Sequence, residues 1–97
     1  MLTGKQRSNL RAQANGIEPI VQIGKGGVSE NLMKQLADVL YARELVKITV
    51  HKNAEFTAKE IANDLAVDLE AEPVAAIGNK VILYKRSKKD GINHVEF

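Results

Sequence analysis

The run Gly24-Lys25-Gly26-Gly27 is the part of the chain whose residue types and spacing most clearly suit a ligand. A Gly-x-x-Gly loop has no side chains to obstruct approach, so its backbone can come close to a sugar-phosphate chain. Ser29 reads as the N-cap of a helix that follows directly, which would turn free N–H groups and a positive dipole end toward phosphate oxygens. Lys25 adds a full charge inside the loop. The spacing is neither Gly-x-x-x-x-Gly-Lys-Ser/Thr nor Gly-x-Gly-x-x-Gly, which disfavours a mononucleotide site. A clamp on a nucleotide backbone, in the style of K-homology domains, is the better physical match. A plain glycine-rich turn is the competing interpretation of the same four residues.

Catalytic chemistry has little to work with elsewhere. The 97 residues include no cysteine, which excludes disulfides, thiolate zinc sites and cysteine nucleophiles. The two histidines, His51 and His94, have no second ligand or carboxylate partner at recognisable spacing, and His51 reads as a surface residue at a strand end. Asp64 and Asp68 stand four apart, which places them on one helix face, and a solvated acidic face is the simplest account of them. No catalytic constellation emerges, so the expectation is a non-enzyme without metal or cofactor.

Charge is segregated along the chain. Residues 1–53 carry a net +4, residues 54–79 a net −5 and residues 80–97 a net +3, within an overall +2. One basic face with acids kept elsewhere is a common footprint of polyanion binding. Besides Lys25, the candidate contacts are Lys5, Arg7 and Arg11 on a first helix, and Lys34 on the helix after the loop. They form one patch only if the first helix packs near the loop. Lys85, Arg86, Lys88 and Lys89 make a second basic cluster. The only aromatic residues are Tyr41, Phe56, Tyr84 and Phe97, and Phe56 and Tyr84 are expected to pack internally. Base stacking therefore contributes little, which points to recognition of a polyanion's backbone and shape.

The elements that must position these groups follow from local signals. Thr3-Gly4-Lys5-Gln6 fits a capping box for a helix from about Gly4 to Asn15, with Gly16 as a left-handed C-terminal residue. Residues 19–23 read as a strand, and Leu32, Leu36, Val39 and Leu40 keep helical spacing in a helix through Arg43. Alternation from Val46 to Val50 marks a second strand. Thr57-Ala58-Lys59-Glu60 is another capping box, with Ile61, Leu65 and Leu69 on one face and Pro73 stopping continuation. Residues 74–77 and 80–84 form a hairpin around Gly78-Asn79. The order α-β-α-β-α-β-β predicts a two-layer α/β sandwich with a four-stranded mixed sheet, the first three strands parallel and the last antiparallel. Residues 1–86 form the domain. Residues 87–97 read as a loose polar tail whose removal leaves the fold intact, with Val95 and Phe97 the two side chains able to dock. No apolar run is long enough to span a bilayer, and a cytoplasmic monomer is the expectation.

Four blocks carry a family resemblance: Leu2-Thr3-Gly4-Lys5-Gln6-Arg7, Val21-Gln22-Ile23-Gly24-Lys25-Gly26-Gly27, Glu44-Leu45-Val46-Lys47, and Ile77-Gly78-Asn79-Lys80-Val81-Ile82-Leu83-Tyr84-Lys85. Together they resemble the bacterial YhbY family, stand-alone versions of the CRM domain of chloroplast RNA splicing and ribosome maturation factors. The resemblance covers residues 2 to about 86. It implies an RNA-binding module associated with precursors of the large ribosomal subunit, and a fold akin to the C-terminal domain of translation initiation factor 3. The family's Gly-x-x-Gly loop falls on Gly24 and Gly27. The expected function is therefore rRNA binding in large-subunit assembly, with a protein-interaction adaptor acting through the acidic 54–79 block as the alternative.

Overall fold

A computed structural model describes residues 2–97. The elements are α1 (Gly4–Ala14), β1 (Val21–Ile23), α2 (Glu30–Arg43), β2 (Leu45–Val50), α3 (Ala58–Leu69), β3 (Glu72–Ile77) and β4 (Lys80–Tyr84). Both capping boxes form. The Thr3 hydroxyl accepts from the Gln6 N–H at 3.1 Å while the Gln6 side chain accepts from the Thr3 N–H at 3.0 Å, and Thr57 and Glu60 repeat the arrangement. α1 ends one residue early. Asn15 caps it in a right-handed conformation, and Gly16 does not adopt the left-handed one expected of it. The left-handed helix ends are instead Glu44 after α2 (φ 68°) and Glu70 after α3 (φ 55°).

The sheet order is β1-β2-β4-β3. β1 pairs parallel with β2, and β4 runs antiparallel to both β2 and β3. The first three strands thus point the same way, as right-handed crossovers require, while β4 inserts between the second and third. β3 begins at Glu72, so Pro73 lies inside the strand and does not precede it. An edge strand tolerates a residue without an N–H, and the register shifts between Pro73 and Ala75. Gly78 turns the hairpin at φ 57°.

Alternation along the central strands divides the core in two. Val46, Ile48 and Val50 of β2 and Val81 and Leu83 of β4 pack with Leu36, Leu40, Ile61 and Leu65 of α2 and α3. Leu45, Ile82 and Tyr84 point the other way and meet Leu10 and Ala14 of α1, with Val74 alongside. Sheet, α2 and α3 make the expected two layers, and α1 adds a third on the far face. α1 needs only Leu2, Leu10 and Ala14 for this, which is why so polar a helix can still be held. The half-buried Lys47 reaches across and donates from Nζ to the Ala14 carbonyl at 3.3 Å, closing the C-terminal end of α1.

Residues 87–97 contain no helix or strand, yet they are not loose. Glu44 is fully buried, and its carboxylate accepts from the Ser87 N–H at 2.6 Å and the Val95 N–H at 2.7 Å, with His94 Nδ1 at 2.7 Å. Burial alone would raise the Glu44 pKa. The Ser87 N–H, the His94 ring and the Val95 N–H outweigh it and hold the carboxyl below its ordinary value. Ser87 Oγ donates to the Tyr41 carbonyl, Val95 packs on the α1-side core, and Phe97 meets Tyr84 edge-on at 4.9 Å. Much of the order of this segment comes from hydrogen bonds, chiefly to one buried carboxylate, which apolar periodicity does not register. His94 therefore has the carboxylate partner that sequence spacing did not reveal.

Candidate nucleic-acid interface

The 24–27 loop closes as a tight turn in which the Gly27 N–H donates to the Gly24 carbonyl at 3.0 Å. Gly27 sits at φ 70°, where a side chain is strained, so glycine is needed there for the turn itself. Gly26 is different. Its φ lies outside the left-handed region, it is exposed, and a Cβ added to it meets nothing within 4 Å. Gly26 is therefore dispensable for the turn and leaves its backbone open to an incoming chain. Lys25 is exposed beside it.

Parallel pairing of β1 with β2 brings a second segment to the loop. The His51 N–H donates to the Ile23 carbonyl at 2.8 Å, and the Val50 N–H donates to the Asn79 carbonyl at 2.7 Å. A Cβ on Gly24 would lie 3.8 Å from Asn53 Oδ1 and 4.0 Å from His51 Cδ2. The result is a shallow, open depression at one end of the sheet, lined by Gly24, His51, Lys52, Asn53 and Asn79. Its lining offers a cation, two amides and an imidazole, groups that suit phosphate and sugar oxygens. His51 is oriented by Gln22, whose Oε1 lies 2.6 Å from Nε2. None of these residues besides Gly24 stood out as a contact in the sequence, because strand pairing, and not spacing, assembles them.

The helix that follows offers less than expected. Ser29 Oγ accepts the Leu32 N–H at 3.1 Å, and Glu30 places a carboxylate in the first turn of α2. The Glu30 and Asn31 N–H groups stay outside the helical ladder, but Glu30 competes with an anion for that dipole end.

The candidate cations do not form one patch. Lys25 lies in the loop and Lys34 is exposed on α2, whereas Lys5, Arg7 and Arg11 are exposed on α1, across the sheet. A ligand touching both sets must pass around an edge or end of the sheet. Of the second basic cluster, Lys85 is engaged: its Nζ donates to the Leu69 carbonyl at 2.9 Å and complements the C-terminal end of α3. Tyr84 packs as expected. Phe56 does not; it is 48% exposed, beside a cleft between the loop and α3.

Residues 2–85 match the CRS1/YhbY (CRM) domain. The chain belongs to that family. It is 46% identical over 90 residues to the probable RNA-binding protein YqeI of Bacillus subtilis, covering 93% of this chain and 94% of that one. A protein of Haemophilus influenzae named RNA-binding protein is 28% identical over 88 residues, 91% of this chain and 89% of its own length. The solution structure of the hypothetical protein SAV1595 from Staphylococcus aureus superposes with a TM-score of 0.78 at 46% identity, covering 93% of this chain and 94% of the other. The CRM fold thus agrees with the mixed four-stranded sheet and three helices described above. Among the described residues, no helix is long and apolar enough to cross a membrane.

Proposed function

We propose that this chain is a non-enzymatic RNA-binding protein that engages rRNA and assists assembly of the large ribosomal subunit in the cytoplasm. The observation that carries the binding mode is Gly26, an exposed glycine that the turn does not require and whose backbone is unobstructed. Phosphates rest against Gly26 and Gly27, with Lys25 supplying charge and Lys52, Asn53 and Asn79 extending the contact along the end of the sheet. Lys34 lies on the same side, and Lys5, Arg7 and Arg11 meet RNA that continues around the sheet. The relatives named as RNA-binding proteins support the ligand class. With only four aromatic residues in the chain, recognition of backbone and shape is favoured over base stacking.

Crosslinking in cells, followed by sequencing of the bound RNA, tests the assignment. Enrichment of one region of large-subunit rRNA is the expected result. Crosslinks spread over messenger RNA, with none concentrated in rRNA, would overturn the ribosomal reading while leaving RNA binding intact.

A further inference from the structure

The cleft between the 24–27 loop and α3 has a character opposite to the depression beside it. It encloses about 250 Å³, with Ile23 and Leu65 in its floor and Val28 and Phe56 in its walls. Val28 and Phe56 are 40% and 48% exposed, so the cleft presents apolar surface to water. Asp64 and Asp68, one helical turn apart on α3, stand at its rim with Glu55. No lysine or arginine lines it. All three acids are exposed, and none has a hydrogen-bond or ion-pair partner among the described residues.

An apolar floor bordered only by unpaired carboxylates repels a phosphate backbone and attracts cations that also carry hydrocarbon. We infer that this groove holds a cationic, apolar-tipped peptide segment of a protein partner. Leucine-like side chains enter between Val28 and Phe56, while lysine or arginine side chains meet Asp64, Asp68 and Glu55. Gly27 and Val28 join the groove to the loop, so such a segment would sit next to bound RNA, with Gly27 the one residue at the border of both sites. The inference does not depend on the RNA reading, since the charged residues and their sign differ.

Titration of isotope-labelled full-length protein with a synthetic lysine–leucine peptide, followed by amide chemical shifts, tests this. Saturable shifts at Ile23, Val28, Phe56 and Leu65 are expected, with a lysine–serine peptide binding at least about tenfold more weakly. Asp64→Asn with Asp68→Asn should weaken the lysine–leucine peptide by about tenfold or more. Asp90→Asn, which removes a charge outside the groove, should leave it unchanged. Phe56→Ala should also weaken it, and because Phe56 is half exposed the variant keeps its fold, so apolar docking is separable from charge attraction. Shifts scattered over the surface, or equal loss with Asp90→Asn, would show only non-specific attraction and overturn the site. If a single-stranded RNA shifts the same amides and the double Asn variant loses RNA, the groove holds a base and the peptide assignment is wrong.

Discussion

Replacing Glu44 with glutamine removes one charge from the buried point that holds residues 87–97 on the domain. The carboxylate has three partners within 2.7 Å: the Ser87 N–H, the Val95 N–H and His94 Nδ1. Hydrogen bonds to a charged acceptor contribute about 1.5–3 kcal/mol each. A carboxamide oxygen in the Oε2 position still meets Ser87 and His94, but the NH2 then faces the Val95 N–H, so one bond is lost outright and the other two lose their charge assistance. Release of the segment lets water satisfy the freed groups, which brings the expected cost to roughly 2–4 kcal/mol. For a domain of this size, that lowers Tm by on the order of 10–25 °C. The backbone is not the cause, since glutamine tolerates the φ of 68° no worse than glutamate does. Thermal melts of wild type, Glu44→Gln, a chain ending at residue 86 and the combination of the two close a double-mutant cycle. The substitution should cost much less in the shortened chain, where its partners are gone. The Glu44 carboxyl is held below its ordinary value, so its contribution is complete above the usual glutamate range and is lost as pH falls through the lower folded value. The gap between wild type and Glu44→Gln should therefore narrow in acid. A Tm for Glu44→Gln within a degree or two of wild type, or an equal cost in the shortened chain, would refute the anchoring argument.

Removing residues 87–97 should itself destabilise the domain, by roughly 2–5 kcal/mol in chemical denaturation, because the apolar contacts of Val95 and Phe97 are lost and Glu44 exchanges its charge-assisted hydrogen bonds for water. Gly27→Ala should cost about 1 kcal/mol through its positive φ, whereas Gly26→Ala should be neutral or slightly stabilising, as paired urea titrations would show. Lys47→Met keeps the apolar stem but loses the bond to the Ala14 carbonyl; about 1 kcal/mol is expected, with faster hydrogen exchange confined to α1.

Local interactions made much of this fold readable from sequence. Thr3 with Gln6 and Thr57 with Glu60 are three residues apart, so their capping boxes depend on nothing distant. Gly78-Asn79 needs only its own turn, and Val46 to Val50 shows its two faces by alternation. Long-range features were hidden. The insertion of β4 between β2 and β3 depends on which edge is free when the hairpin docks, and Pro73 is compatible with a strand only because β3 ends up outermost. Leu10 and Ala14 gave no sign of which sheet face α1 would take. Lys52, Asn53 and Asn79 join Gly24 only through pairing of β1 with β2 and the turn of the hairpin. Glu44 looked like any acid at a helix end, and its value to the fold comes from partners more than 40 residues later.

The claim that RNA rests against the loop backbone is tested most directly by measuring salt-dependent RNA binding and Tm on the same samples of wild type, Lys25→Ala and Gly26→Asp. Gly26 has open space and no need of a positive φ, so Gly26→Asp should leave Tm nearly unchanged while placing a side chain and a repelling charge at the closest approach. The account predicts binding weakened at least tenfold, about 1.4 kcal/mol, for every RNA tested. Lys25→Ala should remove about one phosphate contact and flatten the salt dependence by roughly one unit of slope. If both folded variants bind RNA like the wild type at every salt concentration, the loop is only a turn and the clamp is wrong.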